Sequence, residues 1–343
     1  MKKFFAIFLF LLLAASGYVA YQFYSFPHQG YGPAAILEIK KGMGIAGLTQ
    51  ELKRLGLTSS TRKMDFYLRY KDVASHLKAG EYEFGPNTTP EQIAEKLIKG
   101  ERLRRMLTIP EGYSLKDIAK LLSEKGWASA DAFLKKAQSI DAATKQGLEG
   151  TSLEGYLFPD TYEIPKNVTE DQIIQMMTKN FKKQMNSDII QKGQSLGLSR
   201  YQILTLASII EKETGKAEER PLISSVFHNR LKIGMPLATD PTVIYGIPNF
   251  DGNIRRVDLE RDTPYNTYLR PGLPPTPISN PGLKSLQAAV NPTPSEYLYF
   301  VSKGDGSHQF SKTLEEHQAA VQQYQIAKSP STSTQPTSQP TSR

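Results

Sequence analysis

Residues 109–127 read IPEGYSLKDIAKLLSEKGW, and residues 39–57 read IKKGMGIAGLTQELKRLGL. At an offset of 70 positions, Ile39 aligns with Ile109, Gly42 with Gly112, Ile45 with Leu115, Leu48 with Ile118, Leu52 with Leu122 and Gly56 with Gly126. Apolar residues at 45, 48 and 52 recur with helical spacing, and Ser114 followed by Asp117 has the form of a helix start. Further along, GEYEFGPNTTPEQI from Gly80 aligns with DTYEIPKNVTEDQI from Asp160. There Tyr82 meets Tyr162, Glu83 meets Glu163, Asn87 meets Asn167, Thr89 meets Thr169 and Ile93 meets Ile173. GEYEF alternates as a half-buried strand does. Each copy therefore reads as a strand, a Gly turn, an amphipathic helix, a second helix and a closing strand.

The second offset is 80, ten more than the first, so the second copy carries extra residues, and LEGTSLEGYLFPD at 148–160 lies where they fall. An insertion into a repeat is a common place for added function, and a bare loop is the alternative. A βααβ unit of this order resembles the LysM module. That resemblance implies contact with polymers containing N-acetylglucosamine; two packing modules without a ligand are the alternative.

The chain has 343 residues, 39% hydrophobic and 22% charged, enough for several domains with cores of their own. It contains no Cys, which excludes disulfides, thiolate catalysis and Cys-based zinc sites. Residues 1–24 read MKKFFAIFLFLLLAASGYVAYQFY, with no charge from Phe4 to Tyr21. Those 18 residues sit at the lower edge of a membrane span. Lys2 and Lys3 ahead of it place the N-terminus in the cytoplasm and the bulk of the chain outside, a single-pass periplasmic arrangement. A cleaved signal peptide ending near LLLAAS is the alternative, but the apolar and aromatic run continues beyond Ala15 to Tyr24. The net charge of +8 suits anionic headgroups or wall polymers in that compartment. No nucleic-acid motif is present, and no nucleic-acid partner is expected. The Ser/Thr/Pro/Gln-rich end, 328–343, has no means to bury a core and is expected to be a disordered tail.

In the second half, SRYQILTLASIIEKET is a helix that Ser199 can cap, with Ile203, Leu206, Ala207 and Ile210 forming a buried stripe. At about 100° per residue, Glu211 and Glu213 lie about 200° apart and flank the stripe on opposite sides. Only one of them can face a given cleft, and the periodicity does not choose. EERPLISSVFHNRLKIGM has Pro221 in a first helical turn and ends near Gly234. A long Pro/Gly-rich loop, DTPYNTYLRPGLPPTPISNPG at 262–282, inside a folded region is usually functional or disordered. It carries Tyr265, Asn266, Tyr268 and Arg270, residues suited to sugar stacking and hydroxyl recognition. Tyr297 to Val301 reads as a strand, Gly304-Asp305-Gly306 as a hairpin turn, and HQFSKTLEEHQAAVQQY as a last helix. The five His have no metal-ligand spacing, and neither a phosphate loop nor a Ser-His-Asp set can be argued. No cofactor is expected.

LASIIEKET, ERPLISSVFHNRLKIGMPLATDPTVIYG, PYNTYLRPGLPPTPISNPG and YLYFVSKGDGSHQFSKTLEEH resemble the YceG/MltG family of endolytic murein transglycosylases, as does EGYLFPDTY in the insert. The resemblance runs over nearly the whole chain ahead of the tail. It implies cleavage of the MurNAc–GlcNAc bond within nascent peptidoglycan strands, leaving 1,6-anhydroMurNAc ends and limiting strand elongation. Such chemistry needs a carboxylic acid kept protonated near neutral pH by desolvation. It needs no second carboxylate, because the muramic 6-hydroxyl attacks its own C1 at a high effective concentration. By likeness to the Glu-Ser pair of other lytic transglycosylases, the acid is Glu213, which precedes Thr214; Glu211 is the alternative.

Glu154, Asp240, Tyr245, Asn266 and Tyr268 are candidates to contact substrate. For each, a packing, capping or loop-fixing role is the competing reading. The expected fold class is α+β. An anchor at 1–25 precedes two LysM-like modules, 26–102 and 103–180, a C-terminal α+β catalytic domain at 181–327, and the tail. Glycan strands and the membrane are the expected partners, with cell-wall synthases as further ones. A non-catalytic wall-binding scaffold that regulates a synthase is the opposing reading. A third is a hydrolase pairing Glu213 with Asp240 or Glu154.

Overall fold

The structure, a computed structural model, describes residues 2–326; the expected tail at 328–343 lies outside them. The described chain is mixed α and β and divides into two compact units, residues 1–105 and 106–343.

The first unit begins with α1 (Lys2–Ser25), and the stretch Ile7–His28 is long and apolar enough to cross a membrane, with Ile7, Phe8, Phe10, Leu11, Leu13 and Phe23 among its exposed side chains. Strand β1 (Ala35–Ile39) pairs antiparallel with β2 (Gly80–Phe84), Leu37 opposite Tyr82. Between them lie α2 (Ile45–Arg54), α3 (Thr61–Tyr70) and the short α4 (Val73–His76), and α5 (Pro90–Lys99) follows β2. One face of each strand is buried, Leu37 and Ile39 on β1, Tyr82 and Phe84 on β2. They join Leu48, Leu52, Ile93 and Leu97 in one core, the period-2 and period-3.6 patterns meeting on a shared apolar surface.

The second unit opens with the same plan. Strand β3 (Met106–Thr108) pairs with β4 (Thr161–Glu163), and α6 (Leu115–Glu124), α7 (Ala130–Ala137) and α8 (Ala142–Lys145) lie between. Helix α9 (Glu170–Gln184) follows β4 as α5 follows β2. The repeat extends to backbone conformation. Gly42 and Gly112 take φ of 84° and 76°, and Asn87 and Asn167 take 56° and 57°, the left-handed region that Gly and Asn tolerate best. Thr89 and Thr169 each form a capping box with the Gln three residues on, satisfying otherwise unpaired helix N–H groups. Even the closing tyrosines match: Tyr82 donates to the Lys78 carbonyl at 2.9 Å and Tyr162 to the Phe158 carbonyl at 2.5 Å.

The remaining helices are α10 (Ser187–Ser195), α11 (Arg200–Glu213), α12 (Arg220–Lys232), α13 (Asp240–Tyr245), α14 (Arg256–Glu260) and α15 (Leu283–Val290). A hairpin of β5 (Tyr299–Ser302) and β6 (His308–Ser311) and then α16 (Leu314–Val321) complete the unit. The segment expected to be a single last helix thus begins as strand β6, because His308–Ser311 pairs back onto β5 through the Gly304–Gly306 turn. Ser199 caps α11 as its sequence predicts, and every residue from Ile203 to Ile210 is buried.

Separate domains were expected at 103–180 and 181–327, but Leu115, Ile118 and Phe133 of the second repeat share one core with Ile203, Leu206 and Leu286. Polar bonds reinforce the union. Asn280 donates to the Tyr113 carbonyl and accepts from the Leu157 N–H, both at 2.8 Å, and the Gly112 N–H donates to the Asn280 carbonyl at 2.9 Å. The Pro-rich loop is pinned to α11 as well: Ser208 Oγ accepts from the Ile278 N–H at 3.0 Å, and Ser279 Oγ donates to the Ser208 carbonyl at 3.1 Å.

Candidate active site

Helix α11 ends with its two carboxylates facing different neighbours. Glu211 accepts from Arg220 Nη2 at 3.3 Å through one oxygen and from the Gly282 N–H at 2.9 Å through the other. Arg220 in turn donates to Ser285 Oγ at 3.1 Å. With both oxygens engaged by fixed donors, Glu211 ties α11 to the start of α12 and α15. Nearby, Glu111 is held above the usual carboxylate range, first by burial and then by the Glu211 charge.

Glu213 faces the other way, into a cavity of about 570 Å³ shared with Arg230, Asp240, Tyr268, Tyr299 and His308. The residue is half-buried, and its carboxyl is displaced upward, chiefly because protein atoms replace its hydration and secondarily through the Asp240 charge. The Thr239 hydroxyl, donating to Oε1 at 2.5 Å, and the neighbouring His308 and Arg230 side chains oppose that shift. Burial dominates, so the group keeps its proton to higher pH than a solvated glutamate. Thr214, whose position after Glu213 marked the acid in the sequence, donates its hydroxyl to the Ile210 carbonyl at 2.6 Å and closes the helix end.

The wall that carries Thr239 is held from both sides. Arg230 donates to the carbonyls of Pro236 at 3.2 Å, Leu237 at 2.6 Å and Leu298 at 2.6 Å. On the other side, Thr267 accepts from the Ala238 N–H through its carbonyl at 2.9 Å, and its hydroxyl accepts from the Thr239 N–H at 3.1 Å. Between them Ala238 adopts φ of 48°, a conformation that costs an alanine about 1 kcal/mol or more and persists where surroundings over-determine it. Thr239 sits at the N-cap of α13 without capping it; its hydroxyl goes to Glu213 instead.

Of the residues singled out in the sequence, Glu213, Asp240 and Tyr268 come together on this cavity. Tyr268 donates to Asp240 Oδ1 at 2.7 Å, and burial with the neighbouring Asp240 charge raises its phenol. Asn266 does not line the cavity. It is buried, donates to the carbonyls of Leu259 and Arg261, both at 2.8 Å, and accepts from the Tyr268 N–H at 3.0 Å. All three of these bonds go to the backbone and order the loop that presents Tyr268.

Buried Glu154 and half-buried Tyr245 form a separate pair. Tyr245 donates to Glu154 Oε2 at 2.9 Å, while the Leu115 N–H lies 3.1 and 3.2 Å from the two oxygens and Asn280 Nδ2 lies 3.3 Å from Oε1. Glu154 thus completes the first turn of α6, and burial pushes its carboxyl up to about 7. Sequence reasoning did not select Arg230, Tyr299 and His308, which line the cavity, or Thr239, which bonds Glu213 from beside it. Arg230 looks like an exposed charge near the end of α12, and only the carbonyls of distant loops reveal its use. His308 Nδ1 is 2.7 Å from Glu219 Oε2, which fixes the ring at the cavity edge.

Comparison with known proteins gives a consistent assignment. The chain is 34% identical over 307 residues to the endolytic murein transglycosylase of Bacillus subtilis (strain 168), covering 84% of each chain. It is 32% identical over 349 aligned positions to that of Streptococcus pneumoniae (strain D39), covering 91% of this chain and 63% of the relative. A crystal structure of a yceG-like protein from Listeria monocytogenes superposes with a TM-score of 0.57 at 34% identity, covering 83% of this chain and 98% of that one. Residues 37–323 match the profile of the YceG-like family, and the chain belongs to that family.

Proposed function

We propose that the protein is a membrane-anchored endolytic peptidoglycan transglycosylase with Glu213 as its acid. The observation that carries this reading is a desolvated carboxyl on the wall of a cavity that can admit a glycan. The names of the relatives support the substrate class. Protonated Glu213 gives its proton to the glycosidic oxygen as the MurNAc–GlcNAc bond breaks. The muramic 6-hydroxyl closes on C1, and the Glu213 carboxylate takes up the hydroxyl proton, leaving a 1,6-anhydro end and a protonated acid. No water is consumed. Intramolecular attack supplies the rate that a second carboxylate provides in hydrolases.

Asp240 and Tyr268 form the polar wall for sugar hydroxyls, and Tyr299 offers a ring. The two βααβ repeats are read as LysM-like glycan contacts, and Ile7–His28 as a single-pass anchor with the N-terminus in the cytoplasm. Anchored there, the enzyme acts on nascent strands near the membrane, where synthases are the neighbours.

The test is mass spectrometry of glycan strands digested by the purified full chain, wild type beside Glu213→Gln. Anhydro-ended fragments from the wild type alone support the reading. Reducing ends point to hydrolysis with Asp240 as the second carboxylate. No product from a folded, glycan-binding wild type favours a scaffold.

A further inference from the structure

The apolar helix α1 does not end in a free linker. Lys63 of α3 donates to Gln22 Oε1 at 2.7 Å, and the rings of Phe23 and Phe66 meet edge to face at 5.1 Å. Phe26, buried, sits 6.5 Å from Tyr67 of α3. Helix α3 is therefore fixed against the last turn of α1. Its inward residues Met64, Tyr67 and Leu68 fill the core of the first unit. Its outward face repeats every four residues: Arg62, Phe66, Tyr70. Phe66 is 57% exposed and Tyr70 75%, beside Tyr24 at 74%. Lys63 and Lys71 stand over the rings of Phe26 and Tyr67, 5.9 and 5.8 Å from the centroids. Among the described residues neither lysine forms an ion pair. Glu91, the acid of this rim, is matched by His28 at 3.2 Å.

Exposed aromatics interleaved with lysines that have no acidic partner among the described residues are a poor surface for water and a good one for a bilayer interface. Position argues for the same occupant. The 22 residues of Ile7–His28 rise about 33 Å as helix, against a hydrocarbon core of about 30 Å. If that stretch spans, its end lies at headgroup level, and α3 is bound to that end. We infer that the outward face of α3, with the last turn of α1, docks on the headgroup layer of an anionic phospholipid bilayer. Phe66 and Tyr70 enter the interface, and Lys63 and Lys71 meet lipid phosphates. The inference rests on the anchor reading and is independent of the chemistry at Glu213.

Because the chain lacks Cys, a single introduced thiol labels one place. The full chain, as Phe66→Cys, Tyr70→Cys or Tyr18→Cys, is labelled with an environment-sensitive dye. It is reconstituted into vesicles of phosphatidylglycerol with phosphatidylcholine, or of phosphatidylcholine alone. Quenching by a lipid carrying a nitroxide near its headgroup, for 66 and 70, or deep in its acyl chain, for 18, is compared with quenching by aqueous iodide. Docking predicts that lipid quenching at 66 and 70 exceeds iodide quenching by about threefold or more. Lys63→Glu with Lys71→Glu should lower the lipid quenching roughly fivefold in anionic vesicles and little in neutral ones. Iodide-dominated quenching at 66 and 70 with lipid-quenched 18 overturns the docking and leaves the anchor standing. Iodide access at all three sites overturns both. Shielding of 66 and 70 from both quenchers, with 70-to-70 crosslinks, assigns the face to a second copy and overturns the lipid assignment.

Discussion

Thr239 reaches across 26 residues of chain to donate its hydroxyl hydrogen to Glu213. It is held in that pose by Thr267 and, through the preceding turn, by Arg230. A donor aimed at a carboxylate favours its charged form, whereas burial favours the neutral one. The titration of Glu213 is the balance of the two, with burial ahead.

Thr239→Val removes the opposing bond, so the Glu213 pKa should rise further. An acid loses its proton at high pH, so the alkaline limb of the pH–rate profile should move to higher pH in Thr239→Val and stay in place in Thr239→Ser. An unmoved limb in the valine variant would separate Thr239 from the acid.

Glu213→Gln should lower turnover of glycan strands by about a thousandfold, a loss in keeping with an acid that also returns a proton. A glutamine carbonyl still accepts the Thr239 bond, and no charge is buried, so the thermal midpoint should not fall. A folded variant with wild-type turnover would displace Glu213 from the reaction.

Glu211→Gln should behave in the opposite way. Its charge-assisted bond from Arg220 is weakened inside the protein, and a loss of roughly 1–3 kcal/mol is expected in urea unfolding. Turnover per folded molecule should stay near that of the wild type. Equal unfolding curves together with lost turnover would exchange the roles of the two glutamates.

Glu154 makes stability depend on pH. Its folded value of about 7 lies above the 4.5 of an exposed glutamate. Between those pH values the folded state holds the extra proton, so stability should fall as pH rises from 4.5 to 7. The fall attributable to this group is on the order of 3 kcal/mol. Comparing unfolding free energies of wild type and Glu154→Gln across that range checks it: the gap between them should narrow, or change sign, toward pH 7. A gap independent of pH would refute the assignment.

Gly215 follows Glu213 by two residues, and a Cβ there would lie 2.3 Å from the Gly306 carbonyl oxygen. The obstacle is backbone of the β5–β6 turn, which must shift. Gly215→Ala should cost about 1–3 kcal/mol of stability and lower turnover by moving the hairpin that carries His308. Gly304→Ala is the contrast. Its Cβ would meet nothing within 4 Å, so its cost is confined to the positive φ of 82°.

Much of the architecture was legible in the residues themselves. The aligned Gly42/Gly112 and Asn87/Asn167 pairs, the Ser114 and Ser199 caps, and the apolar periods of α2, α6 and α11 are settled by interactions within a few residues. Such local rules act before any tertiary contact exists. The helical period alone left Glu211 and Glu213 on equal terms, because a helical wheel carries no information about what each side meets. Arg220 and Gly282 claim the first, and Thr239 and the desolvating cavity claim the second. Asn266 shared the composition of a sugar-binding loop with Tyr268, yet three backbone partners consume it while Tyr268 reaches the cavity. The union of the second repeat with the C-terminal helices was equally hidden, since Asn280 and Glu154 meet across 126 residues. Burial and hydrogen-bond partnership depend on groups brought together only by the packed chain, and the proton affinity of a carboxyl is set by that company.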